Sequence, residues 1–242
     1  MAQGRVVVVT GAAGSIGSRL VARFTEAGDT VVGLDLPGAV PADDDRFLAC
    51  DLTSGEQVRA AVVEVLERHG RIDVVVHNAG LSAVGRFEDH DVDTHARVMS
   101  VNHLGPVALT QAALPALRAA RGRIVVIGSV AGFAPVLGRP AYVASKHAVT
   151  GLFEALRPEL APSGVGVTLV HPTFVSSAMT GTAGRSTTGT EISADDVAAA
   201  VVDGVDRGRD RVLVGRTARM SWHIHRLAPR LYVRLMTRRL EK

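Results

Sequence analysis

The sequence predicts an α/β protein in which a single doubly wound domain carries about seven parallel strands with helices on both faces. Three observations predict it. Short apolar runs alternate with stretches of helical spacing along nearly the whole chain. The first run leads straight into a glycine-rich turn, Thr10–Gly17. The second ends on an acid, Asp35, eighteen positions past Gly17.

The strand expectations, in order, are 5–9, 30–34, 46–49, 72–77, 123–127, 165–170 and 211–214. All but 46–49, which reads Arg46-Phe47-Leu48-Ala49, are rich in Val or Ile, and none shows a regular polar alternation. Strands of that kind are buried on both faces, which a parallel sheet between two helical layers provides. Helical spacing covers 16–27, 55–69, 95–121, 144–161 and 194–207. Ser193 and Asp196 have the spacing of a capping box opening the last of these. Pro158 should kink or end its helix early.

Composition is that of an ordinary globular chain: 242 residues, 47% hydrophobic and 21% charged. The single Cys50 excludes an internal disulfide framework and suits a reducing, cytoplasmic compartment. No apolar run reaches membrane-spanning length, and Val6–Val9 is too short for a secretory signal. The net charge of +3 is uneven. From Arg216 to Lys242 there are eight Lys/Arg against one acid, a local +7 that leaves the rest at −4. A mildly acidic body argues against a nucleic-acid partner. The expected organisation is therefore a domain at 1–215 and a basic extension at 216–242.

Ligands of doubly wound sheets bind beyond the carboxyl ends of the strands, so the residues that follow each strand matter most. In Gly11-Ala12-Ala13-Gly14-Ser15-Ile16-Gly17, small residues let backbone N–H groups approach a pyrophosphate at a helix N-terminus, and Gly17 permits close helix–strand packing. That is the Rossmann-type arrangement. Asp35 would bond the adenosine ribose and repel a 2′-phosphate, which favours NAD over NADP. Asp51-Leu52 either flanks the adenine or, through Asp51, caps the next helix. Asn78-Ala79-Gly80 leaves room for a cofactor, and Asn78 can tie neighbouring strands together.

At the chemical end, the fifth strand runs into Ser129, and Tyr142 follows with Lys146 four positions on, sharing a helix face. An ammonium beside a phenol lowers the phenol's pKa, and such a tyrosine exchanges a proton with an alcohol or carbonyl. Lys146 is the only lysine before the terminal Lys242 in a chain that otherwise uses Arg. An ammonium and a guanidinium are not interchangeable in a shaped site. Ser129 can hold a substrate oxygen. Asn102 is a poor helix-interior residue, so it is either locally bonded or sits at a bend that holds water near Lys146. No metal site is expected.

Together these residues resemble the short-chain dehydrogenases/reductases, over roughly residues 5 to 215. The motifs occur in family order: the glycine loop, Asp51-Leu52, Asn78-Ala79-Gly80, Asn102 in 101–105, Ser129, Tyr142 with Lys146, and His171-Pro172. The resemblance implies that Tyr142 is the proton donor and acceptor and that Lys146 tunes it and binds the nicotinamide ribose. It implies that Ser129 orients the carbonyl and that Asn102 supports a proton relay. Pro172, Val175 and Ser177 would meet the nicotinamide, and assembly would be a homodimer or homotetramer. Three residues depart from the compact branch: Ser15 replaces a Gly, with Gly14 giving the extended branch's spacing, Thr173 follows the Pro where Gly is common, and Ser177 stands for Thr.

The implied reaction is NAD(H)-dependent interconversion of a small-molecule secondary alcohol and its ketone. Leu81, Val130, Ala131, Phe133 and Val136 suggest an apolar pocket and a lipophilic substrate, and the small, polar stretch 178–191 suggests a lid. Leu227, Leu231 and Leu235, with Arg226, Arg230 and Arg234, mark a basic amphipathic helix starting near Pro229. It either packs its leucines on protein or lies on an anionic membrane. The alternatives to an enzyme are a dinucleotide-binding sensor and a membrane-surface scaffold.

Overall fold

The computed structural model describes residues 4–40, 43–175 and 191–237. Seven strands form: β1 (Val6–Thr10), β2 (Thr30–Asp35), β3 (Phe47–Ala49), β4 (Val74–His77), β5 (Arg123–Ile127), β6 (Gly166–Pro172) and β7 (Arg211–Val214). All pair in parallel, in the order β3-β2-β1-β4-β5-β6-β7. The Val-rich runs explain why. On β1, Val6 and Val8 enter one core while Val7 and Val9 enter the other, and all four are buried. Branched side chains suit such a pleated, two-sided surface.

The first core is closed by α2 (Gly55–His69), α4 (Gly105–Ala120) and α5 (Pro140–Leu160), the second by α1 (Ser15–Glu26) and α6 (Ala194–Asp206). The capping box at Ser193 is present, with Asp196 N–H donating to the Ser193 hydroxyl at 3.0 Å. The chain winds from β1 to β3 in one direction and returns to β4 beside β1. The crevice at that reversal lies beyond the ends of β1 and β4, and the glycine loop and Asn78 sit there.

Several expectations need correction. The helical run 95–121 is three pieces: α3 (Val92–Met99), a π-helical turn at Ser100–Leu104, and α4. The helix expected from 144 begins at Pro140, since proline is well placed in a first turn, where its missing N–H is not needed. Pro158 lacks the N–H that would reach the Glu154 carbonyl, yet α5 continues two residues further, to Leu160. The helix after Asp51 is capped by Ser54, whose hydroxyl accepts from Gln57 N–H at 3.3 Å. Asp51 instead accepts from the Thr53 N–H and hydroxyl, both at 2.8 Å.

The extension is two helices, α7 (Arg216–Leu227) and α8 (Pro229–Thr237). α7 is fixed to the body by Trp222, which meets Phe133 edge-on with ring centroids 4.9 Å apart and lies under the Arg211 guanidinium at 4.2 Å. The leucines are not what packs: Leu227, Leu231 and Leu235 are 82%, 46% and 44% exposed.

Candidate active site

The glycine loop is shaped by contacts that only small residues allow. Gly11 has φ of +63°, and a Cβ there would come within 2.8 Å of Ala79 Cα. A Cβ on Gly17 would lie 2.0 Å from the Gly11 carbonyl oxygen, so α1 packs on the glycine loop that follows β1 at backbone contact. Gly14 precedes α1 and supplies no side-chain cap. The first-turn N–H groups therefore face the crevice without a side-chain acceptor, as an anion site requires. Asp35, half-buried at the end of β2, accepts from Ala13 N–H at 2.9 Å and from Leu36 N–H at 2.8 Å. Its carboxylate thus braces the glycine loop.

Asn78 does tie strand ends together: its amide donates to the Thr10 and Gly11 carbonyls at 2.9 and 3.0 Å. The Thr10 hydroxyl returns the link by accepting from the Asn78 and Ala79 N–H groups, each at 3.0 Å. These residues fit a dinucleotide: an open helix terminus for the phosphates, a strand-end acid for the ribose, and small residues between.

At the other end, Ser129 follows β5 and Tyr142 lies in the first turn of α5, with Lys146 one turn on. Lys146 is buried, and its Nζ donates to the Ile127 carbonyl at 2.8 Å, 5.6 Å from the centre of the Tyr142 ring. Burial pushes its ammonium down to about 8. The expected depression of the Tyr142 pKa is not found. Burial raises the phenol above its ordinary value, and the Ser129 hydroxyl and the Arg139 charge pull it back only in part.

Asn102 sits in the π-helical turn, 2% exposed and behind the cavity wall. Its Oδ1 accepts from Leu81 N–H at 2.7 Å, and its Nδ2 donates to the Leu81 carbonyl and the Ser145 hydroxyl, both at 2.9 Å. The side chain is thus fully engaged in fixing the strand-end segment against α5. The Ser145 hydroxyl in turn donates to the Tyr142 carbonyl at 2.8 Å.

Both ends open into one cavity of about 1390 Å³. Gly11, Gly14, Ser15, Ile16, Asp35, Asp51, Leu52, Asn78, Ala79 and Gly80 line one part, and Ser129, Tyr142, Lys146, Pro172, Thr173 and Val175 the other. Val175 also bridges to Ile192. Leu81, Val130, Ala131 and Val136 line the chemical end as expected, but Phe133 does not. It is turned between His171 and Trp222. Ser177, and 178–190 of the expected lid, lie outside the described residues.

Sequence reasoning missed the wall given by the extension, where Met220, Ser221, Ile224 and Tyr232 face the cavity. The Tyr232 hydroxyl donates to the Pro135 carbonyl at 3.3 Å. The signal was the spacing of Ala218, Ser221 and Trp222, one helical face that is neither basic nor leucine-rich. His171 was also missed as a structural element. Its Nδ1–H donates to the Ser129 carbonyl at 3.0 Å, and burial lowers its pKa to about 4, so the ring is neutral.

A model of the short chain dehydrogenases matches residues 5–187. The chain is 34% identical over 266 aligned positions to the Dehydrogenase/reductase SDR family protein 7-like of Anopheles gambiae, spanning 99% of this chain and 84% of that protein. Among solved structures, it is similar to a short chain dehydrogenase from Burkholderia cenocepacia in complex with NADP. The TM-score is 0.85 at 26% identity, over 97% of this chain and 98% of that one. It is also similar to a short chain dehydrogenase/reductase from Burkholderia phymatum in complex with NAD, with a TM-score of 0.77 at 25% identity over 87% and 88% of the two chains.

Proposed function

As the chain belongs to the short-chain dehydrogenase/reductase family, we propose that it interconverts a lipophilic secondary alcohol and its ketone with NAD(H), Tyr142 moving the proton. One observation carries the reading: Ser129, Tyr142 and Lys146 line the same cavity as the glycine loop and Asp35. NAD(H), when bound, supplies the hydride exchange. Gly11, Gly14, Ser15, Ile16 and Gly17 hold its pyrophosphate, Asp35 its adenosine ribose, Asp51-Leu52 and Asn78-Ala79-Gly80 its adenine side. Pro172, Val175 and Ser177 hold the nicotinamide.

Each side chain then has a task. The Ser129 hydroxyl holds the substrate oxygen, and the Tyr142 hydroxyl gives it a proton in ketone reduction or takes one in alcohol oxidation. The Lys146 ammonium favours the phenolate by its charge against the burial that disfavours it. Asn102 acts as a positioning residue through Leu81 and Ser145. The apolar lining of the chemical end supports a lipophilic substrate.

Tyr142→Phe tests the proton donor. The variant should bind NADH as the wild type does while turnover on lipophilic alcohols and ketones falls at least a hundredfold. Wild-type turnover would assign the proton to another group. A sensor without turnover predicts NADH binding and no activity in either protein.

A second reading concerns place. The exposed Leu227 and Leu231 beside Arg226, Arg230 and Arg234 support peripheral contact with anionic membrane. Among the described residues no helix is long and apolar enough to cross one. Leu227→Ser with Leu231→Ser should abolish flotation with phosphatidylserine vesicles, whereas equal flotation removes this reading.

A further inference from the structure

Arg139 is the residue before α5, three positions ahead of Tyr142, and it lines the substrate end of the cavity. One guanidinium nitrogen donates to the Ser82 hydroxyl at 3.2 Å, and the group lies over the Phe174 ring, 5.8 Å from its centre. Ser82 and Phe174 line the cavity as well. A long cationic side chain held at two points in a cavity wall loses the freedom to reach into water. It needs a reason to be held there.

That reason is not an ion pair. Among the described residues every ion pair engages another cation: Arg5, Arg23, Arg46, Arg68, Arg71, Arg86, Arg157, Arg207, Arg209 and Arg211 each have a carboxylate. Arg139 has none, and residues 176–190, which follow Val175 of the same wall, contain no Asp or Glu. The surroundings are apolar instead: Leu81, Val84, Val136 and Leu137 share this end of the cavity. The charge of Arg139 also reaches the Tyr142 phenol, which it helps to hold down.

We propose that Arg139 and Ser82 form an anion subsite, and that the substrate is a ketone or alcohol bearing a carboxylate or phosphate together with an apolar chain. A guanidinium presents a planar pair of N–H donors that match either oxyanion, and the Ser82 hydroxyl adds a third donor. The apolar chain lies toward the wall formed by Met220, Ile224 and Tyr232. This rests on the dehydrogenase reading for the reacting carbonyl, but the subsite itself binds without turnover.

The test is calorimetric titration with octanoate, octyl phosphate and octan-1-ol, the two anions below their micellar concentrations and the alcohol below its solubility limit, with and without NADH. At least one anion should bind about tenfold more tightly than octan-1-ol, and the tighter of the two identifies the headgroup. Arg139→Gln keeps a donor for Ser82 but removes the charge, and should bring the anion-to-alcohol ratio to about one. Arg139→Lys should retain part of it, which guards against a ratio lost to misfolding. Equal binding of all three probes to the wild type, or an unchanged ratio in Arg139→Gln, overturns the proposal. Failure of NADH to bind or of any ketone to turn over instead strikes the dehydrogenase reading and leaves these ratios standing.

Discussion

Lys146 gives its hydrogen bond to the Ile127 carbonyl at 2.8 Å rather than to Tyr142, and the two residues meet as a charge 5.6 Å from a ring centre. In the mechanism proposed above, the lysine acts on the tyrosine through its field and not through a hydrogen bond. That makes its protonation state decisive, and burial brings the ammonium down to about 8 from an ordinary 10.5. Its folded pKa lies below its unfolded one, so above about pH 8 the unfolded chain binds more protons. Stability from this group rises with pH through the window from 8 to 10.5. Below it, the full cost of burying the ammonium is present, on the order of 3 kcal/mol. Urea denaturation at pH 7.5 and 9.5 should show the wild type gaining stability relative to Lys146→Met. Parallel behaviour of the two proteins would contradict the buried charge.

Asn102 makes three hydrogen bonds with both side-chain polar atoms used. Asn102→Ala removes both tethers of the exposed Leu81 and the donor to the buried Ser145 hydroxyl, and at about 1 kcal/mol per bond the expected loss is about 2–3 kcal/mol of unfolding free energy. Ser145→Ala removes one bond of this set together with the hydroxyl's bond to the Tyr142 carbonyl, and should cost about 1–2 kcal/mol. Chemical denaturation measures both. A loss for Asn102→Ala no larger than that for Ser145→Ala would mean that the π-helical turn holds itself without the side chain.

That turn also shows where sequence reading stopped. Residues 95–121 keep helical spacing throughout, and a single π turn changes the hydrogen-bond partner without altering which residues are apolar. The sheet was legible because strands buried on both faces have few alternatives to runs such as Val6–Val9 and Val74–Val76. The nucleotide end was legible because its chemistry depends on the backbone, and glycines mark backbone demands. Tyr142 and Lys146 were legible as a pair, but not the burial that raises the phenol, which depends on elements far apart in the chain. α7 escaped because its anchoring face, Ala218, Ser221 and Trp222, is short and interleaved with arginines. Arg139 escaped for the same reason in reverse: nothing local distinguishes it from arginines that find carboxylates.

Asp35 accepts two main-chain hydrogen bonds and stands half-buried where a ribose would lie. A fixed carboxylate there opposes a 2′-phosphate, so NADH should bind more tightly than NADPH, by about tenfold or more. Asp35→Ala should shrink that preference, mainly by weakening NADH. Fluorescence titration of both nucleotides with both proteins decides it. Tighter binding of NADPH to the wild type would remove Asp35 from the ribose site.

Gly17 is the strictest steric test of the nucleotide end. A Cβ at this position would sit 2.0 Å from the Gly11 carbonyl oxygen and 2.7 Å from Ala12 Cα, and both are main-chain contacts with no flexible side chain to yield. Gly17→Ala must push α1 away from the Gly11-Ala12 turn or distort the turn itself. Either movement displaces the first-turn N–H groups of α1. NADH affinity should fall at least tenfold, and unfolding free energy by roughly 2–3 kcal/mol, typical of overpacking. Gly14→Ala is the contrast: its Cβ would meet only the Gly11 carbonyl, at 3.2 Å, so its effect on stability should be the smaller of the two. Equal stability losses in the two variants would show that backbone contact between α1 and the Gly11-Ala12 turn is not what the glycine at position 17 provides.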